Sequence, residues 1–151
     1  MKRSFATIPA LFIALTAITS SSAGAGATTV SYPRLCEAEL ASGIYFENAP
    51  YDSVEDFSSA EYITDGDSLQ IIYRDGCGSD IIARKSSMTP DMDDDDDELQ
   101  TIFIKGTAVN IFSDDGRIFA QWNEGGWEYS LNADKAVGNE RIQKIAEEII
   151  R

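Results

Sequence analysis

The chain contains no histidine, and its 151 residues include only two cysteines. The missing histidine excludes Ser-His-Asp and Cys-His nucleophiles, the H-E-x-x-H zinc site, histidine-ligated haem and a histidine pH switch. Two cysteines cannot form a four-thiolate zinc site or an iron–sulfur cluster. Basic residues are scarce as well: 12 Lys and Arg stand against 26 Asp and Glu, for a net charge of −14. This charge argues against a nucleic-acid partner, which would require clustered basic residues.

The chain does have the composition of a folded domain. Hydrophobic residues make up 43% and charged residues 25% of the sequence, which is ordinary globular usage. The length predicts one domain. Neither phosphate-binding glycine motif, G-x-x-x-x-G-K-[ST] or G-x-G-x-x-G after a strand, occurs.

The first 27 residues have the order of a secretory leader. Lys2 and Arg3 precede a largely apolar stretch at 8–18, and a small-residue tract at 19–27 ends in Ala25-Gly26-Ala27. We therefore predict a signal peptide at 1–27 and a secreted or extracytoplasmic domain at 28–151. A retained anchor is the alternative, but a spanning helix needs about 20 apolar residues. A lipidated cysteine is disfavoured because no small residues directly precede Cys36.

The two cysteines are predicted to pair. Outside the cytosol, a pair of cysteines usually forms a disulfide. Cys36 and Cys77 are the candidates, and a loop of this size would stabilise the fold by roughly 2–4 kcal/mol. The alternative, a redox or nucleophilic thiol, lacks both a C-x-x-C motif and a histidine to form a thiolate.

The larger part of the domain alternates apolar and polar residues between short glycine turns. This pattern predicts strands at 60–64, 69–74, 81–85, 101–105, 107–112, 117–123 and 127–131. Asp115-Gly116 and Gly125-Gly126 are typical of hairpin turns. Residues 28–32 are expected to be a loose lead-in, 44–46 a brief extended segment and 51–59 an acidic loop. Strict alternation with short turns indicates an antiparallel sheet with one buried face.

Helical patterns flank this region on both sides. A short helix is predicted to follow Pro33 and to end at Gly43. Near the C-terminus, isoleucines and an alanine recur at helical spacing, at Ile142, Ile145, Ala146, Ile149 and Ile150. The predicted class is therefore α+β: a curved antiparallel meander with a C-terminal amphipathic helix packed on one face and a short N-terminal helix.

Residues 91–98 form the most acidic segment, within a loop predicted at 86–99. Asp91, Asp93, Asp95 and Asp97 offer oxygen ligands at the spacing of calcium-binding loops. An EF-hand starting at Asp91 would, however, place Asp96 at the glycine position and Ile102 at the bidentate glutamate position. A solvated loop is therefore the leading interpretation, and calcium binding and docking onto a basic protein are the alternatives.

Two further patterns are candidate sites. Six acidic residues between 52 and 67 would permit glycoside hydrolysis only if two carboxylates faced each other across a cleft. They are Asp52, Glu55, Asp56, Glu61, Asp65 and Asp67. The aromatic residues of the strands resemble a sugar-binding platform, but their alternation is better explained by core positions and cross-strand pairs. They are Phe103, Phe112, Phe119, Trp122, Trp127 and Tyr129, of which Trp122 and Tyr129 are assigned to the core.

A family resemblance covers residues 60–150. The segments that carry it are Ile72-Tyr73, Ile81-Ile82-Ala83-Arg84-Lys85, Ile104-Lys105-Gly106 with Val109, Ala120-Gln121-Trp122, Gly125-Gly126-Trp127 with Tyr129-Ser130-Leu131, and Ile145-Ala146 with Ile149. In these segments the chain resembles a family of small exported bacterial domains of unknown function. The resemblance implies a curved antiparallel sheet with a helix against it, distantly similar to periplasmic lipoprotein-carrier half-barrels. It implies no catalytic residues, and family members usually have a short Asp/Gly/Ser turn where this chain has residues 91–98.

These observations predict a non-enzymatic secreted module that binds or senses a protein or a small apolar ligand. The alternatives are a small secreted inhibitor of an extracellular enzyme and a calcium-dependent surface protein. We expect a monomer without a cofactor, without a nucleic-acid partner and without a membrane span after the leader.

Overall fold

A single antiparallel sheet organises the residues that the structure, a computed structural model, describes, namely 28–87 and 100–151. Its eight strands are β1 Val30–Tyr32, β2 Ser59–Thr64, β3 Ser68–Arg74, β4 Asp80–Ser86, β5 Gln100–Ile104, β6 Thr107–Asp114, β7 Arg117–Glu124 and β8 Trp127–Asp134. The α-helices are α1 Leu35–Ser42 and α2 Asn139–Ile149, and single 3-10 turns occupy Asp52–Val54 and Lys135–Val137. The predicted α+β class and both predicted helices are confirmed.

The sheet consists of two four-stranded meanders that meet at one seam. The strand order is β1-β2-β3-β4-β8-β7-β6-β5. Strands β4 and β8 form the seam, in which Ala83 pairs with Leu131. Strands β1 and β5 are consequently the two edges of the open sheet.

Tight turns fix the register of the C-terminal meander. Two residues connect each of its hairpins, and both residues of each turn have positive φ: Lys105-Gly106, Asp115-Gly116 and Gly125-Gly126. This is the type I′ geometry, whose twist matches that of the flanking strands. The hairpin turns predicted at Asp115-Gly116 and Gly125-Gly126 are confirmed.

The helices and the core lie on one face of the sheet. Alternate side chains of the strands point to this core face, including Leu69, Ile81, Ala120 and Leu131, each 0% exposed. The predicted core residues Trp122 and Tyr129 are buried, and their rings stack with centroids 5.4 Å apart. Helix α2 places its predicted apolar stripe, Ile142, Ile145, Ala146 and Ile149, among the buried residues. Burial of this stripe therefore holds the C-terminal helix on the sheet.

The turn between β5 and β6 also fixes the end of α2. Lys105 Nζ donates hydrogen bonds of 2.8 Å to the carbonyl oxygens of Glu147 and Ile150. The last carbonyls of a helix lack partners within the helix, and a cation also interacts favourably with that end of the helix dipole. Lys105 therefore stabilises the C-terminus of α2 from the sheet. At the other helix, α1 ends at Gly43 with φ 71°, as the sequence predicts.

A buried lysine connects the segment after α1 to the sheet. Lys85 is 5% exposed, and its Nζ donates a 2.6 Å hydrogen bond to the carbonyl of Tyr45. The same Nζ lies 5.0 Å from the ring centroid of Trp127 and 5.4 Å from that of Tyr129. Burial lowers the pKa of Lys85, against an opposing effect of nearby carboxylates. Residues 44–46, predicted as an extended segment, are held by this side chain rather than by strand pairing.

Two local expectations are wrong. Residues 30–32 are not a loose lead-in but strand β1, in which Tyr32 pairs with Tyr62. Three residues are too few for a pattern of their own, so this strand is specified by the neighbouring edge of β2. Phe103, grouped with core or paired aromatics, is 75% exposed because it lies on β5, an edge strand with a partner on one side only.

The predicted disulfide is not formed in the structure. Cys36, in the first turn of α1, and Cys77, in the loop between β3 and β4, are both exposed free thiols. The Cys77 loop is held without it, because Asp75 Oδ1 accepts 2.8 Å hydrogen bonds from the N–H groups of Cys77 and Ser79.

The face opposite to the helices contains one poorly satisfied carboxylate. Glu128 is 8% exposed, and its Oε2 has no hydrogen-bond partner in the described part of the chain. Burial raises the pKa of Glu128, although the charge of Arg84 opposes the shift. A raised carboxyl pKa means that the folded state prefers the protonated form, so the ionised form of Glu128 lowers stability.

Replacing Glu128 by glutamine is therefore expected to stabilise the protein at neutral pH. The folded state binds more protons than the unfolded state between the ordinary pKa of 4.5 and the raised value, so the contribution of Glu128 to stability falls as pH rises through that interval. We expect Glu128→Gln to raise the free energy of unfolding at pH 7 by about 1 kcal/mol and to change it little at pH 4. Urea denaturation at both pH values measures the difference.

The exposed Glu55→Gln serves as the matched control, because Glu55 lies outside the α-helices and strands and forms no ion pair in the described part of the chain. We expect this substitution to have the same small effect on stability at both pH values. An equal effect of Glu128→Gln at pH 4 and pH 7 would show that the charge of Glu128 is not the cause.

Neither α-helix in residues 28–87 and 100–151 has the length and apolar composition needed to cross a bilayer.

Candidate ligand pocket

A pocket of about 290 Å³ opens between the loop at residues 47–58, the start of α1 and strands β2 and β3. Its lining is mainly apolar and aromatic, from Leu35, Pro50, Val54, Phe57, Tyr62 and Tyr73, with Ala49, Tyr51, Glu55, Ser58, Ser59 and Ala60 completing it. Ligand sites are usually concave and apolar, with a few polar groups. This pocket is therefore the candidate functional site.

The register of β2 and β3 builds the floor of the pocket. Ala60 lies directly opposite Tyr73, and Tyr62 lies opposite Ile71, so Tyr62 and Tyr73 are diagonal neighbours on the core face. Diagonal side chains of this length are within reach of each other. The methyl group of Ala60 fills little of the space beside Tyr73, and the pocket occupies this space.

The tyrosines of the pocket are held in the neutral form. Tyr73 is 8% exposed, and its hydroxyl donates a 3.0 Å hydrogen bond to the carbonyl of Pro50. Burial raises the pKa of Tyr73 well above its ordinary value of 10.0, and the neighbouring Tyr62 and Tyr51 add to the rise. Burial likewise raises the pKa of Tyr62. At neutral pH the floor therefore presents uncharged phenol rings, whereas Tyr51 at the rim is 79% exposed.

Helix α2 fastens the loop that covers the pocket. Glu148 Oε2 accepts a 2.9 Å hydrogen bond from the N–H of Tyr51, and Glu148 Oε1 accepts a 2.7 Å bond from the N–H of Ser53. Asn48 Nδ2 donates to the carbonyl of Ile149 at 3.2 Å. Two backbone donors bound by one carboxylate fix the loop more firmly than two neutral acceptors would.

An arginine of the same helix forms the second attachment. Arg141 Nε donates a 2.9 Å hydrogen bond to the carbonyl of Ser53, and its guanidinium pairs with the carboxylate of Asp56. The guanidinium carbon lies 5.1 Å from the ring centroid of Phe57. The hydrogen bonds from Arg141 lower the pKa of Asp56. Arg141 is thus occupied on the α2 side of the loop and does not line the pocket.

Three of the acidic residues between 52 and 67 are engaged by hydrogen bonds or ion pairs. Asp56 pairs with Arg141, and Glu61 accepts a 2.6 Å hydrogen bond from Arg74. Asp65 Oδ1 accepts from the N–H groups of Asp67 and Ser68 in the turn between β2 and β3. Three of the six carboxylates are therefore occupied by ion pairs or turn hydrogen bonds.

The predicted calcium ligands Asp91, Asp93, Asp95 and Asp97 lie outside the described residues, as does the predicted leader at 1–27. Among the residues that the structure does describe, no three acidic or cysteine side chains converge in a way that would hold a metal ion.

The pocket was not predicted from the sequence. Residues 51–59 read as an acidic loop, and Tyr51 and Phe57 within it carry no periodic pattern. Their function as a cover depends on contacts with Glu148 and Arg141, about ninety positions later in the chain. The only local sign is the presence of two aromatic rings in an otherwise polar stretch.

Comparison with known proteins gives a family without an assigned activity. Residues 45–149 match the family described as domain of unknown function (DUF4367). The match includes the loop over the pocket, the seven strands from β2 to β8 and α2. No curated protein and no solved structure matches the chain.

Proposed function

Because this chain belongs to the family of the domain of unknown function DUF4367, whose description names no activity, we propose its role from the pocket: it is a non-enzymatic binding module for a small apolar ligand. The observation that carries the proposal is an aromatic pocket of about 290 Å³ beside the hydrophobic core. Covering exposed apolar lining of this kind with a ligand is favourable, because apolar surface is removed from water.

The size of this gain suits reversible binding. A ligand that buries about 100 Å² of apolar surface gains roughly 2.5 kcal/mol from that burial. Stacking against aromatic rings adds about 0.5–1.5 kcal/mol for each favourable pair. Glu148 and Arg141 fasten the loop to α2 by hydrogen bonds, so little ordering free energy is lost on binding.

The proposal places this module outside the cytosol. The basic, apolar and small-residue order of residues 1–27 supports export. An exported binding module could carry its ligand or report the ligand's presence to a partner.

A neutral fluorescent dye tests the pocket. N-phenyl-1-naphthylamine gains fluorescence when it leaves water, and we expect saturable binding to the wild-type protein. Ala60→Phe places a large ring in the space beside Tyr73 and should weaken dye binding at least roughly tenfold. The matched control is Ala108→Phe, because Ala108 is exposed on β6 and does not line the pocket.

Circular dichroism confirms that each variant is folded before the titration. Absence of saturable binding to the wild type, or equal binding by folded Ala60→Phe, contradicts the proposed function.

A further inference from the structure

We infer that the ligand of this pocket is an organic cation with an alkylated ammonium group, an inference that rests on the proposed function and specifies the ligand's chemistry. Four aromatic residues line the pocket: Tyr51, Phe57, Tyr62 and Tyr73. The faces of aromatic rings attract cations, and rings grouped around a cavity are the usual means of binding quaternary ammonium compounds.

The charges at the pocket favour the same sign of ligand. Glu55 is the only charged residue of the described lining, and neither lysine nor arginine lines the pocket. Glu55 is exposed and forms no ion pair in the described part of the chain. A net charge of −14 adds a long-range attraction for cations. An anionic ligand such as a fatty acid would find no positive partner among these residues.

One ring of the pocket already contacts a cation of the protein. The guanidinium of Arg141 lies 5.1 Å from the ring centroid of Phe57. Arg141 is itself held by Asp56 and by the carbonyl of Ser53, so it is not free to enter the cavity.

The hydroxyl groups of Tyr62 and Tyr73 are neutral, so they supply no negative charge to a bound cation. Tyr73 donates its hydroxyl hydrogen to Pro50, and burial keeps Tyr62 and Tyr73 neutral. Attraction therefore comes from the ring faces and from Glu55 at the mouth. Ring faces suit an alkylated ammonium group, which is less strongly hydrated than a primary amine and needs no hydrogen-bond acceptor.

The decisive comparison uses two compounds of nearly equal shape. Choline carries a quaternary nitrogen, and 3,3-dimethylbutan-1-ol carries a carbon in its place. Isothermal titration calorimetry with the folded protein should give a dissociation constant for choline roughly tenfold lower than for the alcohol. Added salt should weaken choline binding and leave the alcohol unaffected.

Variants separate the contribution of the aromatic rings from that of Glu55. Glu55→Gln should weaken choline binding roughly threefold without changing alcohol binding, and Tyr62→Leu, which keeps the volume apolar, should remove most of the preference for choline. Glu140→Gln on α2 is the matched control, because Glu140 is exposed and does not line the pocket.

The outcomes distinguish this inference from the proposed function. Equal binding of choline and the alcohol, or dye binding without choline binding, overturns the cation inference and leaves the apolar pocket standing. Absence of binding by dye, choline and alcohol overturns both. A free ammonium compound and a phosphatidylcholine headgroup share this chemistry. Choline binding without sedimentation on phosphatidylcholine vesicles identifies the free compound, and choline-competed sedimentation identifies the headgroup, so that each supports the inference.

Discussion

Ile145→Ala is expected to lower the free energy of unfolding by about 2–5 kcal/mol, as large-to-small substitutions in a core do. Ile145 is 0% exposed and lies at the centre of the buried stripe of α2. The shortened side chain leaves a cavity between the helix and the sheet that the packed neighbours cannot fill. A loss of this size is a large part of the roughly 5–15 kcal/mol that stabilises a typical domain. Urea denaturation followed by circular dichroism measures it.

The neighbouring residue provides the control for this substitution. Lys144 is exposed on the same helix, and Lys144→Ala should change stability by less than about 0.5 kcal/mol. If Ile145→Ala were as mild as Lys144→Ala, α2 would not be packed on the sheet and the fold described above would be wrong.

Glu148→Ala is expected to release the loop over the pocket and to abolish measurable dye binding. The carboxylate of Glu148 accepts hydrogen bonds from the N–H groups of Tyr51 and Ser53 at 2.9 and 2.7 Å. Hydrogen bonds to a charged acceptor contribute about 1.5–3 kcal/mol when they are protected from water. Glu148 is half-buried, so we expect a stability loss of about 2 kcal/mol, measured by urea denaturation alongside the dye titration.

Two companion variants define the cause. Glu148→Gln keeps one carbonyl acceptor but places an amide NH₂ near the second N–H group. Its loss of stability should therefore lie between zero and that of Glu148→Ala. Glu147→Ala removes an exposed carboxylate from the preceding position of α2 and should leave both stability and dye binding unchanged. Tight dye binding by Glu148→Ala would show that the loop does not require this carboxylate.

Local sequence rules account for most of the sheet. Alternation placed Leu69, Ile71 and Tyr73 on one face, and all three are buried there. The glycine turns can be predicted equally well, because a two-residue hairpin turn requires positive φ and few residues other than glycine adopt it readily. The C-terminal helix follows from its spacing of isoleucines.

Features that depend on distant parts of the chain could not be predicted in this way. Nothing within β4 or β8 indicates that these strands pair with each other across the segment that separates the two meanders. Strand β1 has three residues and exists because β2 offers an edge. The pocket depends on side chains of α2 that hold the 47–58 loop. Because this loop has no apolar periodicity, its sequence predicts only a polar loop.

Burial patterns also mislead at the edges of the sheet. Phe103 lies between Ile102 and Ile104, so this apolar run does not indicate which of the three face the core. Phe103 is 75% exposed, because β5 has a partner on one side only. Phe112 and Phe119 stack with centroids 4.9 Å apart on the face opposite to the helices, as a cross-strand pair. Alternation identifies which residues share a face, but not which face is covered.

The seam between β4 and β8 has a consequence for how the protein is made. Ile82 pairs with Asn132, which is 132 − 82 = 50 positions later. A ribosome producing the chain from its N-terminus completes β4 well before β8 emerges, and through that interval β4 has a free edge beside its buried-type residues Ile81 and Ala83. Unpaired edges of incomplete sheets are prone to join other chains. The free edge of β4 is therefore open to pairing with other chains until β8 is available.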